Sequence, residues 1–278
     1  MQNALQLAAS QQMRFLLAGY MGSGKTTQFL TLPGKKFMYV FDPNALQTLR
    51  GHDVDYKEFC PDITDLNLSV QTLKAGRGDT NKRRPEPKTY IDWEEDFEQR
   101  LEDGFFDDYS WIGFDSFTNF LEIIMDRTQY LSNRLGKQPE QADWAAQMIT
   151  CQNVWRVITS LKLGVFATAH LDLRQNETSK KVYNHLMITG RLRVRLPQLF
   201  NNVWACHADI DAKGKPQFEV QTYPDKEFPT IRSQFKTQVY EDVTIPDFKG
   251  DLTKYGLGRL LRQFGYGPDN IATLAQRK

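Results

Sequence analysis

Residues 19–27, GYMGSGKTT, have the types and the spacing to hold a polyphosphate. Gly19, Gly24, Lys25 and Thr26 match the pattern of a glycine, four residues of any type, then Gly-Lys and a hydroxyl residue. A triphosphate is gripped by several backbone N–H groups converging on its oxygens, and side chains at the tight part of the loop block that approach. Gly22 and Gly24 leave the backbone open there. A helix starting directly after the loop adds the partial positive charge of its N-terminus. Lys25 supplies a mobile point charge for the outer phosphates and Thr26 a hydroxyl for a magnesium ion, while Ser23 and Thr27 complete the lining expected around ATP. The alternative is a glycine-rich turn that matches by accident.

Phosphoryl chemistry also needs a carboxylate to orient magnesium, delivered from the end of a strand near the loop. Asp115 fits, since it follows the apolar run Trp111-Ile112-Gly113-Phe114; the competing role is a cap for the helix that starts at Ser116. His170 ends the apolar run 163–169 and can sense the γ-phosphate or the attacking water, or be a satisfied polar residue and nothing more.

These residues need an α/β framework. Residues 13–18 (MRFLLA), 36–41 (KFMYVF), 109–114 (YSWIGF) and 163–169 (LGVFATA) read as buried strands, with a short one at 54–56. Helical spacing follows the phosphate loop up to Pro33-Gly34 and recurs at 45–49, 65–74 and 93–101. It appears again in Phe117, Phe120, Leu121, Ile124, Thr128 and Leu131, and in Trp144, Met148, Cys151, Trp155, Ile158 and Leu161. These aromatic stripes read as core faces. Residues 203–208 and 217–222 flank a turn at 211–215 and predict an antiparallel hairpin. The expected fold is thus a mostly parallel, twisted sheet flanked by helices, with an antiparallel hairpin at one edge and nucleotide at the carboxyl ends of the strands. An N-terminal arm (1–12) precedes the core (13–240), and an extension (241–278), interrupted by glycines, follows it. Within the core, residues 76–90 read as a basic mobile loop, solvated or in contact with a polyanion.

A chain of 278 residues with a formal charge of +1 has room for one large domain and is not a uniformly basic nucleic-acid binder, so any such surface is local. The three cysteines, Cys60, Cys151 and Cys206, lie far apart and read as reduced residues. No run reaches membrane-spanning length and the N-terminus lacks a signal-peptide pattern, which predicts a cytoplasmic protein.

Taken together, GYMGSGKTT, VFDPNALQTL, WIGFDSFTNF, GVFATAH, ITGRLRVRLPQLFNNVW and the strand ending QTYP with Arg232 beyond it resemble the phage-encoded RecA-like ATP-binding proteins. That group belongs with the AAA-type P-loop ATPases and includes phage single-strand annealing recombinases built on little more than a RecA core. The resemblance spans residues 13–232. It implies ATP and magnesium at Lys25, Thr26 and Asp115, with His170 coupling nucleotide state to the loop that follows. That loop, 171–190, would face single-stranded DNA, with Arg174, Lys180 and Lys181 supplying charge and Tyr183 stacking on a base. It further implies a homo-oligomer in which Lys226 or Arg232 reaches a neighbouring subunit's ATP, and work in phage recombination or replication beside a phage or host single-strand-binding protein.

One departure stands out. The RecA pattern after the second strand is Asp-x-Glu, whose Glu positions the attacking water; this chain has Asp42-Pro43-Asn44. Asn44 can hold a water but cannot take its proton, so hydrolysis is slow or relies on another carboxylate. Two other readings remain: a P-loop kinase of a small acceptor, with 76–90 as its lid, and an ATP-dependent switch or scaffold that rarely hydrolyses and acts through protein partners.

Overall fold

Side chains of the first strand, β1 (Arg14–Gly19), alternate between two separate cores: Phe15 and Leu17 enter one, Leu16 and Ala18 the other. A strand covered on both faces can be apolar throughout, which is why this run carries no polar alternation. The computed structural model describes residues 13–60, 86–175, 180, 182–188 and 190–266. The expected arm 1–12, the helix expected at 65–74, most of the basic stretch 76–90 and Lys181 lie outside the described residues.

The remaining strands are β2 (Lys36–Val40), β3 (Asp55–Glu58), β4 (Trp111–Asp115), β5 (Gly164–Gln175), β6 (Val182–Leu186), β7 (Asn202–Ile210), β8 (Pro216–Gln221) and β9 (Tyr240–Asp242). Their order across the sheet is β3-β2-β4-β5-β1-β7-β8-β9, and β6 pairs with the outer half of β5. The strands from β3 to β7 in that order run parallel, while β8 and β9 are antiparallel. The β7–β8 hairpin is the antiparallel edge expected from the sequence. A second hairpin, β5–β6, was expected as loop 171–190; β5 does not stop at His170 but runs on to Gln175.

Helices cover both faces. One core packs Tyr90, Trp93 and Phe97 of α3 (Thr89–Glu102), Phe120 and Ile124 of α4 (Phe117–Leu131), and Cys151, Trp155 and Ile158 of α5 (Gln141–Ile158) on the sheet. Trp93 meets Phe120 edge-on with ring centroids 4.7 Å apart, a favoured aromatic geometry. The aromatic stripes are core faces, with two exceptions: Trp144, in the first turn of α5, and Leu131, the last residue of α4, are 40% and 65% exposed. The second core lies under α1 (Lys25–Leu30), α2 (Ala45–Leu49) and α7 (Gly256–Gln263). A single turn, α6 (Leu192–Arg195), follows β6.

Described residues of the stretch after 240 are built into this layer. Tyr240 to Asp242 pair with β8, and Leu257, Leu260 and Leu261 of α7 are buried in the second core. Gln28 of α1 donates to the Val243 carbonyl at 3.0 Å and accepts from the Leu257 amide at 3.2 Å. Gly258 lets α7 approach to backbone contact, since a Cβ there would lie 2.2 Å from the Thr31 carbonyl oxygen and 2.5 Å from that of Thr253. Backbone cannot rotate away, so Gly258→Ala is expected to cost about 1–3 kcal/mol, read as a lower urea midpoint with an unchanged m-value. An unchanged midpoint would mean that α7 does not seat on α1 in this way.

Candidate nucleotide site

The loop between β1 and α1 is shaped by its glycines. Gly22 and Gly24 adopt φ of 77° and 81°, the left-handed region, and Gly24 is the N-cap from which α1 starts. A Cβ on Gly19 would sit 2.3 Å from Ser23 Oγ and 3.0 Å from the Cys206 carbonyl. Ser23 closes the turn, its hydroxyl donating to the Tyr20 carbonyl at 2.8 Å. Lys25, 7% exposed, folds back over the loop and donates from Nζ to the carbonyls of Gly19 and Tyr20, both at 2.9 Å. Burial lowers its pKa, against the pull of Cys206, Asp115 and Asp42. The ammonium thus rests on neutral acceptors that anionic phosphate oxygens can outcompete.

Asp115 ends β4 and is 3% exposed. One carboxylate oxygen accepts from the Thr26 hydroxyl and the other from the Thr168 hydroxyl at 2.6 Å. Ser116, not Asp115, caps α4, accepting from the Asn119 amide, so the capping role is taken by the neighbour. Burial raises the Asp115 pKa; the hydroxyls of Thr168 and Thr26 and the charge of Lys25 oppose that, and Asp42 adds to it. A buried carboxylate answered chiefly by neutral hydroxyls suits a hard divalent cation, and Thr26 Oγ1 beside it is a second oxygen ligand of the right kind. Among the described residues no group of three or more His, Cys, Asp or Glu could hold a metal, so a cation here would come with the nucleotide's own oxygens.

His170 is the last residue of β5 paired with β1, opposite Gly19. Its Nε2 lies 3.7 Å from Asp42 Oδ2. Burial and then the Lys25 charge lower its pKa, against the pull of Asp42 and Asp115. Asn44 is turned away from independent action: its amide N and its Nδ2 donate to Asp42 Oδ1 at 2.9 and 3.0 Å. Thr168 and Asp42 were not singled out as site residues in the sequence. The available signal was parity: Thr168 and His170 are two apart on one strand and so share its face.

Beyond His170, β5 carries Arg174, which pairs directly with Tyr183 of β6. Arg174 donates to Asp172 at 3.0 Å, and Tyr183 packs against His185 with ring centroids 4.3 Å apart. Arg193, unremarked in the sequence, is close enough that Arg174 helps lower its pKa, after burial. Lys180 is exposed at the hairpin turn. The hairpin touches the phosphate loop through the Tyr20 hydroxyl, which donates to Asn184 Oδ1 at 2.6 Å. Lys226 is exposed in the turn after β8. Arg232 is bonded to the backbone of Val203, level with Leu16 rather than Gly19, and its guanidinium donates to the carbonyls of Phe200 and Gln198.

A Gly-Lys-Thr loop joining a central parallel strand to a helix, with its hydroxyl against a buried strand-end Asp, defines a P-loop nucleoside triphosphatase. Within that class the chain belongs to the AAA domain family, whose description matches residues 11–232. The family makes it a P-loop ATPase in the general sense. The fold is also similar to the flagellar accessory protein FlaH of Methanocaldococcus jannaschii, at 11% identity over 84% of this chain and 85% of that one, with a TM-score of 0.35. A comparison with curated proteins finds no match. Among the described residues no helix is long and apolar enough to cross a membrane.

Proposed function

We propose that the protein is a magnesium-dependent ATPase that acts on single-stranded DNA as a homo-oligomer, in phage recombination or replication and in company with a single-strand-binding protein. The observation that carries this reading is the continuity of β5: one strand holds Thr168 against Asp115, presents His170 toward Asp42, and goes on to Arg174 opposite Tyr183. A change at the phosphates therefore has a covalent path to a basic and aromatic hairpin. The Tyr20–Asn184 bond supplies a second link from the loop to the same hairpin.

In this reading backbone N–H groups of the loop hold the phosphates, and Lys25 leaves the Gly19 and Tyr20 carbonyls for the outer ones. Magnesium, held by Thr26 and Asp115, would offset the charge on the β- and γ-phosphate oxygens. Arg174, Lys180, Lys181 and Arg193 answer the DNA backbone, and Tyr183 offers a face for stacking.

The test is retention of single-stranded DNA at low salt, with ATPase rate measured with and without DNA. DNA is expected to bind with strong salt dependence and to stimulate turnover. Tyr183→Ala is expected to weaken binding by about 1–3 kcal/mol, the range for one base stacked on an aromatic ring. Failure to retain DNA both with ATP and without nucleotide would remove the DNA proposal. A second reading, a slowly hydrolysing switch, is favoured by Asn44 being committed to Asp42; bound but uncleaved ATP after long incubation, with no DNA preference, would support it.

A further inference from the structure

We infer that Asp42 is the catalytic carboxylate of this site: it holds the attacking water and takes its proton, the task that Asn44 has no basic group to perform. The inference rests on the ATPase reading above. Its physical basis is the strand register. Val40 pairs with Asp115 across β2 and β4, and Phe114 pairs with Ala167 across β4 and β5. In a parallel sheet, paired residues share a face and the face repeats every second residue. His170, two beyond Thr168 on β5, therefore stands on the same face as Asp115 and one step further towards the strand end, and Asp42, in the bend that follows β2, reaches that step through its 3.7 Å approach to His170.

At that step β4 has left the sheet for α4, so the residues on its two sides meet across the gap. Backbone bonds from the amides of Phe41 and Asp42 to the Asp115 carbonyl, the latter at 3.1 Å, hold the chain there. Asn44 fixes Asp42 Oδ1 with two donors and leaves Oδ2 turned to His170 Nε2, 3.7 Å away. That spacing admits one water within about 2.8 Å of both atoms. The magnesium-ligand pair Thr26–Asp115 lies one step below it. With magnesium held by Thr26 and Asp115, a γ-phosphate and the water that attacks it would meet at this step.

The step balances without further reactants. The water oxygen bonds to the γ-phosphorus as the bond from that phosphorus to the β,γ-bridging oxygen breaks. The bonding pair leaves with ADP, and one water proton passes to Asp42 Oδ2 and on to solvent. His170 and Asn44 position water and base respectively.

The test compares the full chain with Asp42→Asn, Asp42→Glu and Asn44→Ala, measuring magnesium-dependent turnover, ATP affinity with a fluorescent analogue, and the identity of the nucleotide that co-elutes after gel filtration. Asp42→Asn is expected to lose about a hundredfold or more in kcat, the scale of a general base. Its ATP affinity is expected to stay within a few-fold of wild type, which also reports a folded site, and it should elute with intact ATP where wild type elutes with ADP. Asp42→Glu, which keeps the carboxylate and moves it by one methylene, is expected to bind ATP normally and retain more turnover than Asp42→Asn. Asn44→Ala should fall several-fold only. Wild-type turnover in Asp42→Asn, or a full loss in Asn44→Ala alone, overturns the role of Asp42 and leaves the ATPase reading standing. Intact ATP on the wild-type protein overturns both.

Discussion

Lys25→Ala is expected to abolish the rise in melting temperature that magnesium-ATP gives the wild-type protein. Lys25 is 7% exposed and its ammonium is held by the Gly19 and Tyr20 carbonyls with burial already lowering its pKa, so little further desolvation opposes its move to phosphate oxygens. Removing one partner of a buried, hydrogen-bonded charge pair costs about 2–5 kcal/mol, which is roughly thirtyfold to several thousandfold in affinity. ATP at a hundred times its Kd stabilises a fold by about 2.7 kcal/mol, so a loss on that scale removes the thermal shift. Without nucleotide the variant should melt within a few degrees of wild type, because water can replace Nζ at the two carbonyls. Calorimetric titration gives the affinity and a thermal scan the shift. An ATP-induced shift equal to the wild-type one would mean that the loop does not grip the phosphates as described.

Asp115→Asn separates two effects that a single activity assay confuses. Magnesium-dependent turnover is expected to fall by about a hundredfold to a thousandfold, since the variant offers Thr26 no anionic partner with which to hold the cation. The nucleotide-free protein, by contrast, is expected to gain stability at neutral pH. The folded-state pKa of Asp115 is raised, so the folded protein binds that proton more tightly than the unfolded chain. Ionising the carboxyl therefore costs the folded state nothing below the unfolded value of about 3.9, and a growing penalty as pH rises from there through the folded value. Asn carries no such penalty, and its amide suits Thr26 and Thr168, whose hydroxyls both donate and accept. The stability advantage of the variant should thus widen from pH 4 to pH 8, measured by urea unfolding without nucleotide or magnesium. A variant that is less stable at pH 8, or whose ATP binding responds to magnesium as wild type does, would remove Asp115 from the cation site.

The two tests bear on different halves of the site. Lys25 concerns the grip on phosphate, which the loop achieves locally with Gly22, Gly24 and the start of α1. Asp115 concerns the cation, which needs β4 and β1 held in register with β5 between them. A protein that passed the first and failed the second would bind nucleotide without arranging it for cleavage, the behaviour expected of a switch.

Much of this was legible in the sequence because it is local. The spacing of Gly19, Gly24, Lys25 and Thr26 marks the loop; the apolar runs ending at Phe41, Phe114 and Ala169 mark where strands deliver polar residues; the turn at 211–215 gives the edge hairpin. Local patterning also misled at helix ends, as at Trp144 and Leu131, and where an alternating run beyond His170 read as loop although β6 pairs with it. What only the tertiary structure decided is which strand ends meet. That Thr168 bonds Asp115, that Asp42 faces His170, that Tyr20 reaches Asn184 and that α7 seats on α1 through Gly258 all depend on pairings between segments tens to hundreds of residues apart. Periodicity records which face a side chain takes, but the register that aligns one strand with another is set by the packing of both cores together, and no stretch of the chain holds it alone.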